Sequence, residues 1–111
     1  VYKRRCMENR LDELITPTVP AFAQLYDQGE FVYPGGKEPV ISSFVRTTAP
    51  FNLTGQPALS VPCGLTADGL PVGLQIAGRP FAEDMVLRIG AAYEKATDWV
   101  AQVPPLHATT E

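Results

Sequence analysis

Residues 50–79 read PFNLTGQPALSVPCGLTADGLPVGLQIAGR, and this stretch decides the predicted fold. It contains two short apolar runs, at residues 58–61 and 72–77, and glycines and prolines bound both of them. Short apolar runs with such boundaries are typical of buried strands rather than helices. The connection between them contains Asp68-Gly69, which is a strong turn signal. The stretch therefore predicts two strands joined by a turn, with Gly69 at positive φ.

The clearest predicted helix covers residues 82–97, directly after this stretch. Its apolar side chains recur every three or four residues, as on one face of an amphipathic helix. That face consists of Ala82, Met85, Val86, Ile89, Tyr93, Ala96 and Thr97. Ala82 stands where a capping side chain would stabilise the helix by ~1 kcal/mol, so the helix start is predicted to be poorly capped. We expect the apolar face to pack on the strand pair.

Upstream of these elements, prolines and glycines bound the predicted regular structure. Residues 14–16 are a short strand that a proline ends. Residues 40–53 have helical apolar spacing, with Gly55 as the predicted stop and Pro50 expected to kink or divide the helix. A further helix is predicted for residues 1–11 from its apolar spacing.

The intervening residues 21–39 show no sustained period and are predicted to be a long loop. Gly-Gly-Lys at residues 35–37 lacks the first glycine and the Ser or Thr of a phosphate-binding loop, so a plain turn is predicted there. The resulting order of helix, strand, helix, strand pair and helix indicates an α/β or α+β fold.

The composition is typical of one globular domain. The 111 residues are 45% hydrophobic and 19% charged, and their net charge of -3 disfavours a nucleic-acid interface as the main function. The sequence has no run of 18 apolar residues, so no membrane span is predicted. Cys6 and Cys63 form no metal or redox motif, so we expect reduced, mostly buried thiols in a cytoplasmic protein, with a partly exposed Cys63 as the alternative.

The ordered series FNLTGQPALSVPCG at residues 51–64 and DGLPVGLQIAGRPF at residues 68–81 resembles the C-terminal part of the amidase signature family. DELITPT at residues 12–18 resembles an Asp-x-Leu-x-x-Pro-Thr pattern of the same family. The resemblance extends from about residue 12 to residue 106. It implies an α/β fold, the C-terminal part of the mixed-sheet amidase fold, with short strands and flanking helices.

The resemblance also implies an activity. Family members hydrolyse or transfer amide groups through a Ser-Ser-Lys constellation, are several-fold longer, and carry their catalytic motifs upstream of the matching region. Residues 1–111 are therefore expected to be a single partial domain, with a flexible tail at residues 107–111. The start, Val-Tyr-Lys-Arg-Arg without an initiator methionine, suggests a chain cut from a longer one. The expected partners are the N-terminal part of the domain and, in the complete enzyme, a small amide.

The chain itself predicts no complete active site. Ser42, Ser43 and Ser60 lie outside Gly-x-Ser-x-Gly and Ser-x-x-Lys motifs. Ser42 and Ser43 are predicted on a helix surface or in its first turn, and Ser60 as a half-buried, locally bonded hydroxyl. The other candidate groups occupy charged, loop or terminal contexts: Lys3, Lys37, Lys95 and His107. No cluster has zinc-ligand spacing, so no catalytic residue, metal or cofactor is expected in this chain.

Four residues are expected near the substrate pocket if the family layout applies: Phe44, Thr47, Thr48 and Phe51. For the aromatic residues, packing in the core is the alternative. Val45 lies seven positions before Asn52, where the resemblance implies an acidic residue in members that amidate aminoacyl-tRNA. This departure favours a general amidase over a tRNA-dependent glutamine amidotransferase.

Three functional hypotheses stay open from the sequence. The chain is a C-terminal amidase segment, a non-catalytic binding or assembly module that reuses this half-sheet, or one chain of an amidase divided in two. A partial sheet leaves an apolar edge uncovered, and such edges promote self-association. We therefore also expect homo-oligomers or aggregation when the chain is expressed alone.

Overall fold

The computed structural model describes residues 11–103, which form five strands and three helices. The predicted N-terminal helix, Cys6, His107 and the predicted tail lie outside the described residues. The elements in chain order are β1 Glu13–Pro17, β2 Glu30–Tyr33, β3 Gly36–Pro39, α1 Val40–Val45, α2 Ala49–Thr54, β4 Ala58–Leu65, β5 Pro71–Gly78 and α3 Glu83–Lys95, followed by a 3-10 turn at Trp99–Ala101.

The predicted strand pair is confirmed and forms most of a three-stranded antiparallel sheet. The strand order is β1-β5-β4, so β5 lies in the centre and pairs with both neighbours. Gly69 has φ 79°, as predicted, and its amide donates to the carbonyl of Thr66 in the connecting turn. The register shifts between Pro62 and Gly64. Pro62 fits inside β4 because this strand lies at an edge, where the missing amide donor breaks no central ladder.

The hydrophobic core lies between α3 and the face of the sheet that carries Ile76. Val61, Ile76 and Val86 are buried there. The predicted apolar face of α3 is confirmed at Val86 and, as half-buried neighbours of this core, at Ile89 and Tyr93, while Ala96 is exposed. No side chain caps the start of α3, as expected from Ala82.

The predicted division of the helix around Pro50 is also confirmed. Pro50 lies in the first turn of α2, and Gly55 ends α2 in the left-handed conformation with φ 67°. The first helical turn is the position where proline disrupts no helical hydrogen bond, which explains why the chain starts a new helix here. None of the helices within residues 11–103 combines the length and apolar character needed to cross a membrane.

The prediction of an irregular loop over residues 21–39 is wrong for its second half. There, β2 and β3 form an antiparallel hairpin, hereafter the β2–β3 hairpin, with Tyr33 opposite Gly36. Each strand has four residues, which is too short for a sustained period in the sequence. Pro34-Gly35 forms the turn, so the predicted turn in this region is confirmed.

Candidate functional site

An apolar groove of about 1080 Å³ lies on the side of the sheet where α1 packs. The loop after β1, the β2–β3 hairpin, α1 and the start of β5 line it. Its largest apolar side chains include Phe22 from the loop, Phe31 from β2, Phe44 from α1 and Val72 from β5. Four separate parts of the chain therefore build one concave surface, which is the usual form of a small-molecule site.

Two of the four predicted pocket residues line this apolar groove, namely Phe44 and Thr48. Thr47 lies beside it, where its hydroxyl donates to the carbonyl of Thr18 at 2.6 Å. The carbonyl of Thr47 accepts from the Gln75 side chain at 3.1 Å, so Thr47 ties the connection between the helices to the sheet. Phe51 is buried and is absent from the groove wall. Contact with substrate stays a prediction for all four residues.

The β2–β3 hairpin is held against α1 by contacts that the sequence analysis missed. The Tyr33 hydroxyl hydrogen-bonds to the hydroxyl of Ser43. Arg46 forms an ion pair with Glu38, and its guanidinium lies 5.3 Å from the centroid of the Tyr33 ring. The sequence offered only the alternation of Phe31 and Tyr33 in β2, and two positions are too few to establish the period of a strand.

Ser42 and Ser43 both lie in the first turn of α1, as one of the two predictions stated, but Ser43 does not lie on the helix surface. Ser42 is exposed, but Ser43 is fully buried. The reason is the β2–β3 hairpin, which covers this side of α1 and supplies the Tyr33 partner. A buried hydroxyl needs such a partner because an unsatisfied one costs free energy.

A second pair of hydroxyls bridges the sheet next to the groove. Thr18 Oγ1 and Ser60 Oγ are 2.6 Å apart, and the Thr18 amide donates to the carbonyl of Gly73. A Cβ atom at Gly73 would lie 2.8 Å from Thr18 Oγ1 and 3.0 Å from Ser60 Oγ. Glycine is therefore required between the two hydroxyls. Ser60 is exposed rather than half-buried, and its hydroxyl bonds to Thr18, 42 residues away, rather than to a local partner as predicted.

The described residues contain no serine activated by lysine. The hydroxyls of Ser43 and Ser60 bond to other hydroxyls, and Lys37 is exposed on β3 with its ammonium 3.9 Å from Glu30. Within residues 11–103, no group of three His, Cys, Asp or Glu side chains has a metal-binding arrangement. Cys63 is a half-buried free thiol, which agrees with the partly exposed alternative rather than with full burial.

Glu13 carries a buried carboxylate on the opposite face of the sheet. Both of its oxygens are buried without a hydrogen-bond partner, and they lie where a Cβ atom on Gly78 would contact them at 3.0–3.3 Å. Burial raises the pKa of Glu13 above its ordinary value of 4.5, and the negative charges of Asp12 and Asp84 act in the same direction. The positive charge of Arg79 favours the carboxylate and offsets part of this rise in the pKa of Glu13.

The raised pKa of Glu13 predicts a specific dependence of stability on pH. The folded chain binds the Glu13 proton more tightly than the unfolded chain, so this contribution is complete below about pH 4.5 and is lost as pH rises through the folded pKa. Glu13→Gln should therefore stabilise the chain relative to wild type increasingly as pH rises above that value. Urea midpoints over about pH 4 to 8 measure the difference, with Glu94→Gln on the exposed side of α3 as the control. Identical pH profiles for wild type and Glu13→Gln would contradict the assignment.

Within residues 11–103, the geometry defines part of an α/β scaffold that has a groove wall and no serine–lysine pair. The family model described as Amidase matches residues 2–87, and the chain belongs to this amidase signature family. The resemblance seen in the sequence is thereby confirmed, and the matched region is a C-terminal segment of that family.

Curated relatives show the same relationship. The chain is 46% identical over 99 residues to a glutamyl-tRNA(Gln) amidotransferase subunit of Chloroflexus aggregans, covering 88% of this chain and 19% of that protein. It is 41% identical over 101 residues to an amidase of Pseudomonas putida, covering 90% of this chain and 22% of that protein. The chain thus spans about a fifth of the length of these relatives.

Solved structures confirm the predicted mixed α/β fold. The structure of 6-aminohexanoate cyclic dimer hydrolase matches with a TM-score of 0.80 and 33% identity, over 94% of this chain and 23% of that chain. The corresponding glutamyl-tRNA(Gln) amidotransferase subunit of Thermotoga maritima matches with a TM-score of 0.60 and 36% identity, over 84% of this chain and 20% of that chain. Both similarities cover most of this chain and a small part of the other protein.

Proposed function

We propose that this chain is the C-terminal part of an amidase, a C–N hydrolase that acts on carboxamides. The observation that carries the proposal is an apolar groove lined by Phe44 and Thr48 in a segment whose described serines lack a lysine partner. In this proposal the chain supplies one wall of the substrate pocket. The Ser-Ser-Lys residues that the family resemblance implies are supplied by an N-terminal part of the same domain.

The surface of the chain supports a protein partner of this kind. Large apolar side chains outside the groove wall are exposed on several elements: Ile15, Leu25, Ile41, Leu53 and Phe81. Within residues 11–103, β1 and β4 are edge strands, each with one side unpaired in the sheet. Exposed apolar side chains and open strand edges are features that a partner covers. The N-terminal part of the amidase domain is the proposed partner, and a second copy of the chain would use the same surfaces when that part is absent.

A second candidate is a segment of a tRNA-dependent amidotransferase. Several curated relatives carry that name, at 42% to 46% identity over 99 residues. Val45 supports the general amidase instead, because it presents an apolar side chain to the groove where the resemblance implies an acidic residue in the tRNA-dependent members.

A stand-alone binding module and a split amidase are distinguished by the reading frame upstream of Val1. A Gly-Gly-Ser-Ser-Gly-type motif lies in frame for a fragment, in a separate frame for a split enzyme, and nowhere nearby for a binding module.

The test of the proposed function compares the 111-residue chain alone with the chain mixed with a polypeptide that carries the N-terminal part. We expect no ammonia or amine release from simple aryl and alkyl amides by the chain alone, because its described residues include no activated nucleophile. The mixture should first become soluble and then hydrolyse these amides. A mixture whose N-terminal part has its catalytic serine replaced by alanine is the matched control, and it should be soluble but inactive.

Two results would contradict the proposal. Turnover by the lone chain that is abolished by replacing Ser42, Ser43 or Ser60 would place the nucleophile in this segment. Amide transfer to glutamyl-tRNA by the mixture, without hydrolysis of any simple amide, would favour the amidotransferase instead.

A further inference from the structure

Among residues 11–103, no charged side chain lines the apolar groove. The described residues of its wall are apolar or uncharged, and the polar side chains among them are those of Gln28, Tyr33 and Thr48. The groove is therefore different from a site that recognises a carboxylate, which normally presents an arginine, a lysine or several free amide donors.

The three polar side chains of the groove are already engaged within the chain. Gln28 Nε2 donates to the carbonyl of Glu30 at 3.0 Å, and its Oε1 accepts from the Leu25 amide at 3.2 Å. Tyr33 shares its hydroxyl hydrogen bond with Ser43. The Thr48 hydroxyl donates to the carbonyl of Phe44 at 3.4 Å. A polar ligand would have to compete with these existing hydrogen bonds.

Arg46, which follows a groove residue in the sequence, is a cation that is also engaged within the chain. Arg46 follows Val45 directly, but its guanidinium is paired with Glu38 and lies over the ring of Tyr33. It does not line the groove. A carboxylate bound there would leave water without gaining an ion pair, and an unpaired charge in an apolar site is strongly unfavourable.

Because the described groove residues include no charged side chain and their three polar side chains are engaged, we infer that the apolar groove binds the uncharged, apolar part of an amide substrate and rejects amides that carry a carboxylate. The inference rests on the proposed amidase function and specifies its substrate class. Val45 and Val32 are the selecting residues, because each presents an exposed aliphatic side chain to the groove from a different element. Substrates with aliphatic or aromatic acyl or amine groups fit this surface.

A matched pair of amides tests the inference. Hexanamide and adipic acid monoamide have the same number of carbons, and a carboxylate replaces the terminal methyl group in the second. Saturation-transfer NMR at neutral pH would measure their binding to the protein produced from the complete reading frame that encodes this chain. We expect hexanamide to bind and the monoamide to bind about tenfold more weakly or less. Equal binding, a preference for the monoamide, or binding of neither amide would overturn the inference.

Variants of the groove wall test whether the groove is the source of the selectivity between the two amides. Val45→Arg adds a cation to the groove wall, and Val45 is 46% exposed, so a long side chain can be accommodated. We expect the monoamide to bind about tenfold more tightly to this variant than to wild type. Ser42→Arg is the matched control, because Ser42 lies about one turn before Val45 on α1, is exposed and is outside the groove wall. It should leave both affinities unchanged.

A second variant separates misfolding from a wrong placement of the selectivity, and a separate activity measurement separates the inference from the proposed function. Val32→Arg on the exposed hairpin should produce the same gain as Val45→Arg if the latter fails to fold, which circular dichroism would reveal. No gain in either folded variant would overturn the placement in the groove. Ammonia release is scored independently. A protein that selects hexanamide but hydrolyses no amide would contradict the proposed function and leave the selectivity standing.

Discussion

Replacing Ile76 with alanine should lower the free energy of unfolding by about 2–5 kcal/mol. Ile76 is 1% exposed and lies at the centre of β5, where it pairs with Leu59 on one side and Ile15 on the other. Its side chain contacts the core that Val61 and Val86 complete beneath α3. Because strands pair on both sides and a helix lies above, the neighbours have little freedom to close the cavity that alanine leaves.

Ile15→Ala is the matched control for this prediction. Ile15 is the same residue type and lies directly opposite Ile76 in the sheet, but it is 59% exposed at the edge strand β1. Its truncation should change the free energy of unfolding by well under half as much, because less apolar surface is lost from the interior. Urea midpoints followed by circular dichroism measure both variants. Equal effects of the two truncations would show that the core is placed on the wrong part of the sheet.

Replacing Gly78 with alanine should destabilise the chain by about 1–3 kcal/mol. A Cβ atom at Gly78 would lie 2.6 Å from Val86 Cγ2 and 3.0 Å from Glu13 Oε2, both well inside ordinary contact. The backbone at this position has no positive φ, so the expected cost comes from crowding between β5 and α3. The helix would have to move away from the sheet, which would weaken the core around Ile76.

A double-mutant comparison checks this crowding. Val86→Ala removes the methyl group that the new Cβ atom meets, so Gly78→Ala should cost less in the Val86→Ala background than in wild type. Gly35→Ala is the control, because a Cβ atom there has no neighbour within 4 Å and the φ angle is ordinary. It should leave the urea midpoint nearly unchanged. Additive effects of the Gly78 and Val86 changes would exclude direct crowding as the cause.

The strongest local signals in the sequence located their elements correctly. The turn at Asp68-Gly69, the end of α2 at Gly55 and the break at Pro50 all follow from the backbone preferences of one or two residues. The helix α3 follows from a repeat within its own thirteen residues. The resemblance to the amidase signature family gave the mixed α/β fold, which the solved structures confirm.

The missed features depend on neighbours that are distant in the chain. Gly90 is buried in α3 because the helix lies close to Leu59 of β4 there, so that a Cβ atom at Gly90 would collide with Leu59 Cδ2. Nothing within the helix sequence indicates this contact. Ser43 is buried because the β2–β3 hairpin covers it. The hairpin itself was missed because its four-residue strands are too short to show a period.

The sequence by itself determined the positions of the turns, of α3 and of the strand pair, and the family to which the chain belongs. These depend on residue preferences and spacings over a few positions. Only the tertiary structure decided which predicted pocket residues line the groove, bringing Phe44 and Thr48 into its wall and leaving Thr47 and Phe51 outside it. It also decided that no charged side chain of the described residues lines the groove, because Arg46 pairs with Glu38 of the β2–β3 hairpin. Burial and ion pairing depend on which distant segments meet, and that is settled only when the sheet and helices pack.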